Sequence, residues 1–121
     1  MIIDDDIEAL NALKALLEQA GYNVLTALDG FFKGLMKARE AKPDLVLLEL
    51  MIPKINGLKV CRFLKFDDTY KHIPVVILTV RTEEEDKILG QKAGYDLYLT
   101  KQVDNDQLIA SINKLINPGV S

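Results

Sequence analysis

The sequence has very few of the residues that form covalent cross-links or transition-metal sites. Its 121 residues include one cysteine, Cys61, and one histidine, His72. A single cysteine excludes an internal disulfide and a zinc site built from cysteines. A single histidine excludes a two-histidine metal motif. No apolar run approaches the ~20 residues of a membrane-spanning helix. We therefore expect a protein of the reducing cytoplasm that does not enter a membrane.

An excess of positive charge is also lacking. The 15 Lys and Arg residues are outnumbered by 18 Asp and Glu residues, which gives a net charge of −3. This balance argues against a basic surface that follows nucleic-acid phosphates, so we expect no direct nucleic-acid binding. Apolar residues make up 49% of the chain and charged residues 27%, which is typical of a soluble globular domain. The length fits one domain over residues 1–121 with a core of its own.

Short apolar runs alternate with longer segments of helical period. Residues 45–48 and 75–78 are continuous apolar runs, typical of strands that are buried on both faces. Strands alternating with helices predict an α/β fold in which a parallel sheet lies between two layers of helices, a doubly wound three-layer domain. The predicted strands are 1–3, 23–27, 45–50, 75–78 and 97–99, and the predicted helices are 7–20, 29–40, one after Gly57, 82–94 and one after Asp104.

Capping residues support the last two helices. Thr82 precedes Glu85 by three positions, and Asp104 precedes Gln107 by the same spacing. Both pairs match the capping box, in which two side chains satisfy backbone N–H groups of the first helical turn. Gly94 is a suitable end for the helix that begins after Thr82.

Polar residues follow the predicted strands at the edge of the sheet where doubly wound folds bind their ligands. Clustered carboxylates repel one another unless a cation joins them, and oxygen ligands of this kind suit Mg²⁺. A lysine and a threonine opposite the metal would hold a phosphoryl group. The alternative is that residues 4–6 only cap the first helix, favoured by its dipole. The residues at the strand ends are Asp4, Asp5, Glu49, Thr79, Thr100 and Lys101.

These residues give the chain its resemblance to a known family. Over essentially its whole length it resembles the receiver domains of two-component response regulators. The resemblance implies a flavodoxin-like fold with strand order 2-1-3-4-5 and a role as a signalling switch in a phosphorelay, without enzymatic activity beyond Mg²⁺-dependent self-phosphorylation. The matching stretches are IDDD (3–6), PDLVLL (43–48), MIP (51–53), GL (57–58), IPV (73–75), LT (78–79) and AGYDLYLTK (93–101).

The resemblance also implies a metal site and a phosphoacceptor. At the positions of Asp4 and Asp5 the family holds Mg²⁺, together with the phosphoacceptor at position 49 and the backbone carbonyl of Met51. The phosphoacceptor is normally an aspartate that attacks the phosphorus of a phosphohistidine on a partner kinase. Here the position holds Glu49, whose carboxylate lies one methylene further from the backbone.

Three further positions carry the switch in the family. Thr79 would bond the phosphoryl group and move toward it, Lys101 would neutralise it, and Tyr98 would change rotamer when Thr79 moves. The expected partners are a histidine kinase or another signalling protein. An effector domain or a second copy would dock on the face formed by the fourth helix, the fifth strand and the fifth helix.

The glutamate at position 49 is the residue on which the functional hypotheses differ. A displacement of about 1 Å in a reacting group costs on the order of 100-fold in rate, so we expect weak or absent phosphotransfer and weakened Mg²⁺ binding. Paired with Lys101, the longer carboxylate would mimic part of the phosphorylated state in a pseudo-receiver. The alternatives are a working Mg²⁺-dependent receiver and a small Mg²⁺-dependent phosphatase built on Asp4 and Asp6. The phosphatase hypothesis is weak because 121 residues leave no room for a cap domain.

Overall fold

Five short parallel strands form the central sheet. A computed structural model describes residues 1–29, 33–52, 55–82 and 93–117 of the chain. Neighbouring strands of the sheet are hydrogen-bonded in the order β2-β1-β3-β4-β5, so the predicted order 2-1-3-4-5 is confirmed. The strands are β1 (Ile2–Ile3), β2 (Thr26–Ala27), β3 (Val46–Leu48), β4 (Val75–Thr79) and β5 (Leu97–Thr100).

The helices lie on both faces of this sheet. Leu10 and Leu17 of α1 and Leu108 of the C-terminal helix pack on one face, while α2 and α3 pack on the other. Successive strand residues point to opposite faces of the sheet. Leu47 therefore lies on the face that α1 and the C-terminal helix cover, and Leu48 on the face that α2 and α3 cover. The three-layer prediction is confirmed. The helices are α1 (Ile7–Gln19), α2 (Leu35–Ala41), α3 (Gly57–Lys65) and the C-terminal helix (Asn105–Ile116).

The first and last helices begin as their sequences predict. The Asp6 carboxylate accepts hydrogen bonds from the backbone N–H groups of Glu8 at 3.0 Å and Ala9 at 3.3 Å. The Asp104 carboxylate accepts from the Gln107 N–H at 2.8 Å. The predicted helix over 82–94 and its capping box fall largely on residues 83–92, outside the described residues. Within the described ranges, no helix combines the length and the apolar character that a membrane crossing requires.

Strand β2 and the segment after β3 differ from the sequence expectations. Strand β2 is shorter than the predicted 23–27, because its one neighbour in the sheet is the two-residue β1. The predicted start of α2 falls largely on residues 30–32, outside the described residues; residues 33 and 34 are π-helical, and the Gly34 N–H donates to the Asp29 carbonyl, five residues earlier, at 2.6 Å. An antiparallel pair of two-residue strands, Met51–Ile52 and Ile55–Asn56, lies where only a turn was expected.

Gly57 joins α3 to the end of β3. Its N–H donates to the Leu50 carbonyl at 2.8 Å, and the glycine Cα lies against the backbone of residues 49 and 50. A Cβ atom at this position would collide with the Glu49 carbonyl oxygen and would lie 2.9 Å from the Leu50 Cα. Because both are backbone atoms, no side-chain rotation relieves the collision.

We therefore expect Gly57→Ala to lower the free energy of unfolding by about 2 kcal/mol, the range for overpacking a close-packed site. Urea denaturation would measure it as a lower midpoint with an unchanged slope. Lys59→Ala, at an exposed position of the same helix, is the matched control and should shift the free energy by less than about 0.5 kcal/mol. Equal midpoints for the two variants would contradict the steric explanation.

Candidate functional site

Asp4 and Glu49 lie side by side because of the strand register. Ile3 pairs with Leu48 between β1 and β3, so the next residue of each strand emerges at the same carboxyl edge. The Glu49 N–H donates to the Ile3 carbonyl at 3.0 Å, and the Asp4 N–H donates to the Ala27 carbonyl at 3.1 Å. Backbone pairing thus fixes the Cα positions of both acids at the end of the sheet.

Lys101 reaches these acids from the other half of the sheet. Its N–H donates to the Thr79 carbonyl at 2.8 Å as β5 ends. Its Nζ donates to Asp4 Oδ2 at 2.8 Å and lies 3.5 Å from Glu49 Oε1. The carboxylate side chains are only 3% and 8% exposed and the lysine side chain 22%. One ammonium therefore joins two buried carboxylates from different strands.

The remaining oxygen of each carboxylate is bound by backbone. Asp4 Oδ1 accepts from the Asp6 N–H at 2.9 Å, and Glu49 Oε2 accepts from the Leu50 N–H at 2.9 Å. The longer Glu49 side chain thus folds back on the peptide that follows it. Each of the four carboxylate oxygens lies close to a donor in the chain itself, so both charges are stabilised without any added ion.

The pKa of Lys101 reflects this environment. Burial by itself lowers the pKa of Lys101, but the hydrogen bond to Asp4 and the charges of Glu49 and Asp4 act in the other direction and exceed it. The net result is a raised pKa, so the ammonium stays charged at neutral pH. Two carboxylates against one ammonium leave a formal charge of −1 at the edge of the sheet.

Thr79 and Tyr98 belong to the neighbouring β4 and β5. Thr79 is fully buried, and its Oγ1 lies 3.5 Å from the backbone nitrogen of Arg81. The Tyr98 hydroxyl donates to the Arg81 carbonyl at 3.1 Å and lies 3.2 Å from the Thr82 carbonyl. The Tyr98 ring also packs on Tyr95, with centroids 5.6 Å apart. The segment 79–82 therefore connects the threonine with the aromatic side chain.

The expected ligand set for a metal ion is only partly assembled. Asp5 is exposed at the bend after Asp4, and the described ranges contain no group of three or more His, Cys, Asp and Glu side chains arranged to hold an ion. Asp4 turns inward because Lys101 and the Asp6 N–H bind it, whereas the adjacent Asp5 faces solvent. Within the described residues these side chains do not form a three-carboxylate group, and the metal ligands Asp4, Asp5, Glu49 and Met51 stay a prediction.

Two contributions to the site were missed by the sequence analysis. The backbone N–H groups of Asp6 and Leu50 have no side-chain signature, so no residue pattern reveals them. Gly57 was noted only as the end of a turn. Its steric role beside Glu49 depends on how α3 packs, which becomes visible only in three dimensions.

Comparison with known proteins identifies the family of the chain. The family model described as the response regulator receiver domain matches residues 1–113. The chain belongs to the response-regulator receiver family. It is 41% identical over 116 residues to the DNA-binding dual master transcriptional regulator RpaA of Synechocystis sp. (strain ATCC 27184 / PCC 6803 / Kazusa), covering 96% of this chain and 48% of that protein.

Two other similarities cover nearly the whole of the matched chain. Protein PilH of Pseudomonas aeruginosa PAO1 is 39% identical over 96% of this chain and 95% of its own length. The receiver domain of the Francisella response regulator 1452 superposes with a TM-score of 0.85 at 29% identity, covering 98% of this chain and 96% of that one. The chain is thus a receiver domain of two-component signal transduction, and it spans about half of RpaA.

Lys101→Met tests the ion pairs directly. Removing one partner of a buried pair costs ~3–5 kcal/mol when all groups are buried, and we expect about 2 kcal/mol here because Lys101 is partly exposed. Because its folded pKa is raised, the lysine stabilises the fold fully at neutral pH, and this stabilisation is lost as pH rises through that pKa. Urea unfolding should therefore show the full deficit at pH 7 and a smaller one above about pH 10.5.

The control is Lys71→Met. Lys71 lies 3.2 Å from Asp68 in an ion pair whose side chains are 60% and 97% exposed, and such pairs contribute ~0–1 kcal/mol. An equal loss in the two variants would show that the contacts of Lys101 at the sheet edge contribute nothing beyond a surface pair.

Proposed function

We propose that this receiver domain is a pseudo-receiver, an interaction module that works without accepting a phosphoryl group. The observation that carries the proposal is the position of Glu49. Its two oxygens lie against Lys101 and the Leu50 N–H inside the chain. That position 49 is the phosphoacceptor position follows from the resemblance to the family.

The geometry is unfavourable for a nucleophile. An attacking carboxylate oxygen must approach phosphorus in line, with the acceptor atom free and correctly oriented. Glu49 Oε2 accepts a 2.9 Å hydrogen bond from the adjacent peptide, and Glu49 is buried at 7% exposure. The extra methylene is used to make this backbone contact. Attack would require breaking it and exposing the carboxylate.

The same contacts support a partial mimic of the phosphorylated state. In the family, Lys101 would neutralise a bound phosphoryl group; here its ammonium already binds Glu49 and Asp4. The mimic carries one charge on Glu49 in place of the roughly two of a phosphoryl group. Tyr98 is held by the carbonyls of residues 81 and 82, which gives the β5 surface a fixed form for a partner. That partner would be a histidine kinase or another signalling protein in the cytoplasm.

Receiver domains typically bind Mg²⁺ in the active site, and the donor chemistry here fits a cation incompletely. Asp4 and Glu49, with the backbone carbonyl of Met51, would hold it, and the ion would supply charge neutralisation for the two carboxylates. The ammonium of Lys101 already supplies that neutralisation, and Asp5 stays exposed. We therefore propose weak Mg²⁺ binding that competes with Lys101.

A phosphorylation test separates the pseudo-receiver from a working receiver. Incubated with Mg²⁺ and acetyl phosphate, the native protein should keep its mass, whereas Glu49→Asp should gain one phosphate-sized adduct. The aspartate restores the shorter reach and cannot make the same contact with its own following peptide. Intact-mass spectrometry measures both. The matched control is Glu49→Asn, which has the length of aspartate but no nucleophilic carboxylate.

A phosphate adduct on the native protein that disappears in Glu49→Gln would overturn the proposal and establish the working receiver. Adducts of equal size in Glu49→Asp and Glu49→Asn would place the modification on another residue. Only an adduct specific to Glu49→Asp supports the explanation based on side-chain length.

A magnesium titration followed by NMR tests the competition. We expect small shifts of the Asp4 and Asp5 amides at millimolar Mg²⁺ in the native protein, and at least about tenfold tighter binding in Lys101→Met, a gain of about 1.4 kcal/mol. Lys71→Met again serves as the control for lost surface charge. If neither amide responds in either protein, the metal prediction fails.

A further inference from the structure

A cavity lies at the amino edge of the sheet, beyond the start of β1. Strand β1 has only two residues, and the stretches 23–25 before β2 and 43–45 before β3 lie on either side of the space in front of it. Both stretches line a cavity of about 500 Å³, called here the amino-edge slot. The rest of its lining is aliphatic and comes from α1, β3 and the C-terminal helix. These aliphatic residues are Leu17, Leu47, Ile112 and Ile116.

Within the described part of the chain, two backbone N–H groups along the slot have no hydrogen-bond partner. They belong to Leu25 and Leu45. The carbonyls of the same residues bind β1, since the Ile2 N–H donates to the Leu25 carbonyl at 2.8 Å and the Met1 ammonium donates to the Leu45 carbonyl at 2.8 Å. Both backbone groups of an extended residue face the same neighbouring strand. The two N–H groups therefore face the space that a continuation of β1 would fill.

The Tyr22 hydroxyl is a third polar group without a partner among the described residues. It is buried, and Tyr22 lines the slot. A buried hydroxyl that makes no hydrogen bond is costly. An occupant of the slot that brings a hydrogen-bonding group would remove this cost.

The Met1 ammonium marks the inner end of the slot. Burial lowers its pKa to about 6, and the charge of Asp44 opposes this lowering only in part. Asp44 itself is exposed to solvent. The positive charge of Met1 is thus poorly stabilised by the chain, and a carboxylate placed against it would offset the cost of its burial.

These groups together indicate the occupant. A strand that enters parallel to β2 and β3 has its carboxyl end next to the Met1 ammonium and the Leu25 N–H. Side chains alternate between the two faces of a sheet, so its last residue points to the same face as Ile2, which packs in one cluster with Leu17 and Ile112. We propose that the amino-edge slot binds the C-terminal segment of a partner protein as an added strand, with an aliphatic last residue and a free α-carboxylate.

Other occupants would satisfy fewer of these groups. A small apolar molecule would leave the N–H groups of Leu25 and Leu45 unpaired. A strand from the middle of a partner chain would bring no anion to Met1. Three residues of a strand span about 10 Å at ~3.3 Å each, which matches the three-residue stretches on either side of the slot. The slot lies at the edge opposite to Asp4 and Lys101, so the proposal is independent of the pseudo-receiver function.

An NMR titration with the peptide acetyl-Gly-Ser-Val-Thr-Val tests the role of the carboxylate. With a free carboxyl end, the peptide should shift the amides of Leu25 and Leu45 with a dissociation constant below about 1 mM. The C-terminal amide of the same peptide should bind at least about tenfold more weakly, because hydrogen bonds to a charged group are the stronger ones. Both measurements use the native chain, so neither depends on the folding of a variant.

A pair of variants on the C-terminal helix tests the place of binding. Ile116→Asp adds a carboxylate to the lining of the slot and should weaken binding of the acid peptide at least about tenfold, because like charges then meet. Asn113→Asp adds the same charge at an exposed position of the same helix. It is the matched control and should bind like the native chain. Circular dichroism melts confirm that both variants are folded.

Unchanged amides of Leu25 and Leu45 at millimolar peptide would overturn the proposal. Equal affinity for the acid and amide peptides would exclude a free carboxyl end as the recognised group. Equal losses in Ile116→Asp and Asn113→Asp would show a general charge effect in place of binding in the slot.

Discussion

The ammonium of Lys101 between Asp4 and Glu49 is the contact on which the carboxyl edge of the sheet depends. It joins β1, β3 and β5 through side chains at a place where the backbone ladders have ended. Without it, two buried carboxylates would face each other across neighbouring strands, and burial of unpaired charge costs several kcal/mol. The polar end of the domain is thus one connected group of three charges rather than a collection of separate site residues.

Part of the chain's excess of negative charge is located at this edge of the sheet, where two carboxylates meet one ammonium. In this chain the ammonium of Lys101 lies between two of the carboxylates at the carboxyl edge of the sheet. Asp5 remains in solvent, and Glu49 uses one oxygen to bind the following peptide. The difference between aspartate and glutamate is one methylene, and in this chain the longer side chain places Oε2 2.9 Å from the Leu50 backbone nitrogen.

Much of the fold and part of the site follow from sequence because they depend on local periodicity. Continuous apolar runs identified β3 and β4, and the positions after the strands identified Asp4, Glu49 and Lys101. The contact of Glu49 with the Leu50 N–H was beyond prediction, because it depends on a rotamer and on backbone direction after β3. The antiparallel pair of Met51–Ile52 with Ile55–Asn56 was missed for a similar reason, since two-residue strands leave no periodic signal.

Leu50 connects the carboxyl edge of the sheet with α3. Its N–H is bound by the Glu49 carboxylate, and its carbonyl accepts from the Gly57 N–H at the start of α3. Gly57 has no room for a side chain against this backbone. A movement of the Glu49 carboxylate would therefore release one backbone hydrogen bond of Leu50, the residue whose carbonyl holds the first turn of α3. The charged pocket and the start of α3 are thus joined through a single residue.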